Sequence, residues 1–232
     1  LAAGLVIDTL LLLNNYRDRE QDALSGKRTL VVRLGARAGE RASQITQNID
    51  VMPTVLDLAG IPVPEEVQGV SLMSLATDPS APTRDYALFG YHAMDVNITD
   101  GRYTYMRAPV PSNEPCFEYA AIPTTIRRYL GADRPADIEC GRFLARTDWP
   151  VFKVPVDRPG IIDQSDDALK EVSDTRLFDL AVDYAQLDDL TSHDDPAAKE
   201  AEGRMVGLLL RAMDECDAPA EQYERLGLGG AA

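Results

Sequence analysis

"DVNITDGRYTYMRAP", residues 95–109, alternates in character on both sides of Asp100-Gly101. An Asp-Gly pair between two alternating arms is the strongest short-range signal for a β-hairpin. Val96 and Ile98 then share one face of the first arm, and Tyr103 and Tyr105 share a face of the second. Upstream, "DYALFGYH" (85–92) reads as a strand; downstream, "TRLFDL" (175–180) reads as another short one. Between them, residues 108–160 are irregular and rich in proline, with a short helix expected at "TTIRRYL" (124–130).

Helical signals flank the strands. "NIDVMPTVLDLAG" (48–60) carries Pro53 in its first turn and Gly60 where a helix should stop, and an extended stretch, "IPVPEEVQGVSLMSL", follows. Near the other end, Asp195 and Pro196 form an N-cap and first turn ahead of "AAKEAEGRMVGLLLRAMDEC". Ala201, Met205, Leu208, Leu209, Ala212 and Cys216 make an apolar stripe at helical spacing, suited to packing on a sheet. These elements predict an α+β fold over 44–228: a small antiparallel sheet with a C-terminal amphipathic helix. A detached N-terminal helix over 1–42 precedes it. The expected organisation is 1–42, then 43–80 as a helix and linker, then 81–232 as a C-terminal subdomain.

The 232 residues carry a net charge of −15, with 45% hydrophobic and 26% charged residues. That is ordinary for a folded chain, and the charge argues against nucleic acid or an anionic membrane surface as partner. Cys116, Cys140 and Cys216 show no CxxC or CxxH spacing, so neither a zinc site nor a disulfide framework is indicated, although one long-range pair stays open. The two histidines, His92 and His193, are far apart in sequence. His193 belongs to the turn before the last helix. The acidic runs 163–174, 179–190 and 192–196 read first as solubility and only second as metal loops.

"LAAGLVIDTLLLL" (1–13) is too short to span a bilayer and lacks the flanks of a signal peptide. It reads as the tail of a longer hydrophobic helix, with membrane contact as one expectation. The stretch after it, "NNYRDREQDALSGKRT" (14–29), places Asn14, Asp18 and Asp22 at i, i+4 and i+8, with Asn15 three residues before Asp18. Spacing alone allows a solvated helix face or a Mg²⁺ site, since magnesium takes one or two carboxylates plus phosphate oxygens.

"NNYRDREQDALSGKRTLVVRLG" resembles the second aspartate-rich motif of the 1,4-dihydroxy-2-naphthoate polyprenyltransferases, intramembrane enzymes of menaquinone biosynthesis. The resemblance implies Asn15, Asp18 and Asp22 as magnesium–diphosphate residues, with Lys27 and Arg28 beside the diphosphate. The first aspartate-rich motif and the membrane helices of that family are not in the sequence.

From Ser43 onward the resemblance is to another family. "QNIDVMPTVLDLAGIPVPEEVQGVSLMSL", "DYALFGYHAMDVNITDGRYTYMRAP", "RLFDLAVDYAQLDDL" and "DAPAEQYERLGL" resemble, in order, the C-terminal portion of the sulfatases of the alkaline-phosphatase superfamily. The resemblance implies sulfuric-ester hydrolysis as the parental activity. It also implies that the formylglycine nucleophile of the C/S-x-P-x-R motif and the calcium-binding aspartates belong upstream of "NIDVMPT". No cysteine here begins that motif. "SAPTR" (Ser80–Arg84) satisfies it formally, but a strand is expected after it where the family has a helix, and no aspartate pair is nearby. No catalytic residue and no bound cofactor are therefore expected in this chain. His92 is either a rim residue facing a substrate cleft or an ordinary surface or core histidine. Two families on one chain read as a chimeric reading frame or an excised piece. Loss of a catalytic half would leave apolar surface open to self-association.

Overall fold

The computed structural model describes residues 44–78, 80–124, 129–130, 137–145, 148–156 and 174–229, the side chains of 76 and 77 excepted. Its helices and antiparallel sheets give the α+β fold expected from the hydrophobic patterning. The chain divides into two units, one holding residues 48–63 and 69–83, the other holding 45–47, 64–68 and everything from Arg84.

In the first unit, a 3-10 turn at Asn48–Asp50 leads into α1 (Val51–Leu58). Buried Pro53 sits in the first turn, where no amide proton is needed. The helix ends in a Schellman motif: Ile61 N donates to Leu56 O at 2.8 Å and Gly60 N to Asp57 O at 2.9 Å, with Gly60 at φ +68°. The chain then returns along the helix, bonding to Asp50, Thr54 and Asp57, three positions of one helical face. Val70 N donates to Asp50 Oδ1 at 2.9 Å and Leu72 N to Thr54 Oγ1 at 2.9 Å, while Ser71 Oγ donates to Asp57 Oδ2 at 2.5 Å. The approach is close enough to require a glycine, because a Cβ on Gly69 would lie 2.0 Å from Ile49 O. A five-residue helix, α2 (Met73–Thr77), interrupts what the sequence presents as extended.

The second unit contains two antiparallel sheets where the sequence predicts one. The first has the order β1 (Ala87–Gly90), β2 (Val96–Thr99), β3 (Tyr103–Arg107), β7 (Arg176–Asp179). The second has β4 (Phe117–Ala120), β6 (Val151–Pro155) and β5 (Glu139–Gly141), with β6 central. It lies within the stretch read as irregular: its strands are three to five residues long and follow prolines, which leaves too little period to recognise. Thr124 and Tyr129, within the expected short helix, pair across an antiparallel bridge; residues 125–128 lie outside the described residues.

The β2–β3 hairpin forms where the sequence places it, with the turn moved on by one residue. Asp100 N donates to Tyr103 O at 3.2 Å, so Gly101 and Arg102 are the two central residues, Gly101 at φ +87°. Leu88 pairs with Ile98, Ile98 with Tyr105 and Tyr105 with Leu177, so these side chains form one row across all four strands. That row meets α3 (Pro196–Glu215), capped by Asp195 Oδ1 accepting from Ala197 N at 3.1 Å. Ile98, Tyr105 and Leu177 are fully buried with Met205, Leu209 and Ala212 of α3, and Leu226 closes the core. Each large apolar side chain so buried contributes about 1.5–3 kcal/mol relative to exposure. Of the predicted stripe, Leu208 and Cys216 are half-buried, while Ala198 and Met213 join the buried side. The three cysteines are unbridged.

Candidate functional site

The polar groups of the second unit converge where the β1–β2 loop meets α4 (Ala220–Arg225), a short helix after α3. Arg225 is only 2% exposed, yet its guanidinium is well supplied with acceptors. Nε donates to Gln222 Oε1 at 3.0 Å, and Nη1 donates to Met94 O at 3.1 Å and Asn113 Oδ1 at 2.8 Å. Asn113, at φ +51°, donates from Nδ2 to Ala93 O at 2.8 Å. The carbonyls of Ala93 and Met94, in the loop that carries His92, are thus held by one amide and one guanidinium. Main-chain carbonyls of α4 and its end fix the rest: Val110 N donates to Arg225 O at 2.8 Å, and Arg107 Nε donates to Leu226 O at 2.8 Å.

His92 projects Nε2 to within 3.7 Å of Glu118 Oε1 on β4. Burial pushes its pKa down, with Arg225 adding to that and Glu118 opposing it, and the net direction is down. At neutral pH the imidazole is therefore largely uncharged, able to accept a proton at one nitrogen and donate from the other. Burial likewise raises the Cys116 thiol and lowers Arg225, which Cys116 and Asp95 partly sustain. Buried Asp95 closes the loop with an ion pair to Arg176 Nη2 at 3.6 Å. Phe89 and Tyr91 stand exposed beside this loop, Tyr91 at 75%.

A second cluster anchors the other end of α4. Tyr119 Oη donates to Glu221, which Lys153 Nζ approaches at 3.7 Å. The same ammonium lies 4.1 Å from the centre of the Phe117 ring and 5.5 Å from that of Phe143. Burial, then the Glu221 carboxylate, drives the Tyr119 phenol well above its ordinary range.

Asn15, Asp18, Asp22, Lys27 and Arg28 lie outside the described residues. Among the described residues no group of three or more His, Cys, Asp or Glu side chains could hold a metal. Asp78, two residues before the formal nucleophile motif, is already engaged: its Oδ1 accepts from Ser80 N at 2.9 Å and from Ser80 Oγ at 2.6 Å. The calcium implied by the sulfatase resemblance thus has no fitting donor set among these described residues. Ser80 itself sits in an exposed turn, Arg84 bonds Gln47 Oε1 at 2.7 Å, and β1 follows where the sequence predicts a strand. Tyr103 and Tyr105 are hairpin packing residues. His193 caps the 3-10 turn Leu190–Ser192 and pairs with Asp188 at 3.0 Å. No described helix is long and apolar enough to cross a membrane. Asn113, Glu118 and Lys153 appear in no motif, and Arg225 stands out only as one residue of the sulfatase-like phrase 217–228. Glu221 and Arg225, four residues apart, look like an ordinary surface pair, whereas each reaches a different anchor.

Over its matched residues the chain is sulfatase-like. Residues 20–104 match a family model described as N-sulphoglucosamine sulphohydrolase, C-terminal. Human arylsulfatase K is 41% identical over 44 residues, which is 19% of this chain and 8% of that protein. The N-acetylglucosamine-6-O-sulfatase of Bacteroides thetaiotaomicron is 36% identical over 56 residues, 24% of this chain and 10% of that protein. A solved structure described under the metabolism of multiple glycosaminoglycans by Bacteroides thetaiotaomicron covers 77% of this chain and 28% of its own. It is 20% identical, with a TM-score of 0.39. The matches thus span about a tenth of the curated relatives and under a third of the solved chain. The polyprenyltransferase resemblance of residues 1–42 gains no support from them, and the family match begins at residue 20, inside that stretch.

Proposed function

We propose that this chain is the C-terminal part of a sulfatase-like sulfuric-ester hydrolase, and that the chain alone does not turn over a sulfate ester. The carrying observation is the family match across residues 20–104, which takes in the helix–return unit, β1, β2 and the hairpin turn. The sequence holds no C/S-x-P-x-R outside Ser80–Arg84, and Ser80 sits in an Asx-type turn ahead of a strand. In this reading the chain supplies a rim, the β1–β2 loop with His92 and its exposed aromatic neighbours, while nucleophile and metal reside in sequence of the parent family beyond it. The names of the relatives, an arylsulfatase and a sugar sulfatase, agree with a rim that meets an organic group rather than the sulfate alone.

The test is hydrolysis of an aryl sulfate by the purified chain, read as release of the phenolate, beside a Ser80→Ala variant. Equal, background-level release from both is expected. Release that Ser80→Ala abolishes would overturn the claim of inactivity and make Ser80 a nucleophile.

A further inference from the structure

The helix α4 carries two anchors one turn apart, half-buried Glu221 and buried Arg225, and they grip different parts of the second unit. Glu221 is held by Tyr119 and Lys153 of the second sheet, and Arg225 by the loops at 93–94 and 110–113. A guanidinium this deeply buried is costly unless its donors are used, and here they are spent on a main-chain carbonyl and two side-chain amides instead of a carboxylate. Such geometry holds backbone in place: the fork of Nε and Nη1 ties Gln222, Met94 and Asn113 together, and Asn113 passes the grip to Ala93, which sits at φ +61° next to His92.

We propose that Arg225 is the positioning residue of the His92 imidazole, so that docking of α4 sets where His92 stands and what surrounds it. The charged and titratable groups around the imidazole are Glu118 from β4 and Arg225 from α4, with the Cys116 thiol beside Arg225. Loss of the guanidinium removes a positive charge near His92 and loosens the loop that carries it, giving water more access to the ring. Both changes favour the protonated ring. The proposal rests on the sulfatase-like reading only for the use of His92 as a rim group.

The chain has two histidines, so a pH titration of ¹³Cε1-labelled histidine by NMR resolves His92, with His193 as internal control. In Arg225→Gln the His92 signal should move and its midpoint rise, while His193 stays where it is. Arg225→Lys, which keeps the charge but not the fork, should move the signal with a smaller rise in midpoint. An unchanged His92 signal and midpoint in Arg225→Gln would overturn the proposal. If circular dichroism shows that Arg225→Gln is unfolded, Asn113→Gly decides. It tolerates the positive φ and removes the bonds to Ala93 and Arg225; a moved His92 signal supports the proposal and an unmoved one ends it. No substrate enters the measurement, so failure here leaves the functional reading intact, and aryl-sulfate turnover would count against that reading without touching this one.

Discussion

Asp100 organises the turn that decides the fold. Its Oδ1 accepts from Arg102 N at 3.0 Å and Tyr103 N at 2.6 Å, and its Oδ2 accepts from Arg204 of α3 at 2.6 Å. Burial alone would raise its pKa, but these donors outweigh it and hold the carboxyl below its ordinary value. A carboxylate depressed in the folded state stabilises the fold at pH values above its unfolded pKa of about 3.9, and that contribution is lost as pH falls through the folded value. The urea midpoint should therefore drop more between pH 6 and pH 3 in the native chain than in Asp100→Asn; equal drops would remove Asp100 from the account. Gly69 is decided by contact. A methyl group there would lie 2.0 Å from Ile49 O, so Gly69→Ala forces backbone movement. We expect a loss of about 1–3 kcal/mol in the urea unfolding of the first unit. Asp100-Gly101 was legible in the sequence as a turn. Gly69 was not, because its constraint comes from the carbonyl of Ile49, well upstream in the chain.

Among the elements, α3 shows how far pattern reading goes. Its cap, first-turn proline and apolar stripe were all visible, since each is a local signal at fixed spacing. The same helix carries Gly203 and Gly207 on its exposed side, with no atom within 4 Å of an added Cβ at either position. Gly203→Ala and Gly207→Ala should each stabilise the chain by about 1 kcal/mol in thermal or urea unfolding. Leu209→Ala, at a fully buried position, should cost about 2–5 kcal/mol, whereas Leu187→Ser, 86% exposed, should leave stability within about 0.5 kcal/mol. The second sheet was not legible. Its strands are short, and what binds the sheet to α4 is the Lys153–Glu221–Tyr119 cluster, assembled from residues up to 102 positions apart. In a double-mutant cycle, Lys153→Met and Glu221→Gln should together cost less than the sum of the single changes, because each alone strands a half-buried partner.

At the scale of the whole molecule, the α+β class followed from periodicity, while the candidate site depended on long-range contacts. His92 was visible as a lone histidine, but Asn113 and Arg225, which hold its loop, lie far along the chain, and no local pattern links them. The sulfatase-like character emerged from the order of several phrases in the sequence and agrees with the family match at residues 20–104. Residues 1–42 carry the competing resemblance. The most direct test is to sequence the DNA upstream of the codon for Leu1 in its native genome. The sulfatase-like reading predicts, in frame, a C/S-x-P-x-R motif and paired aspartates. An in-frame series of membrane helices with a first aspartate-rich motif, continuous with "NNYRDREQD", would contradict it.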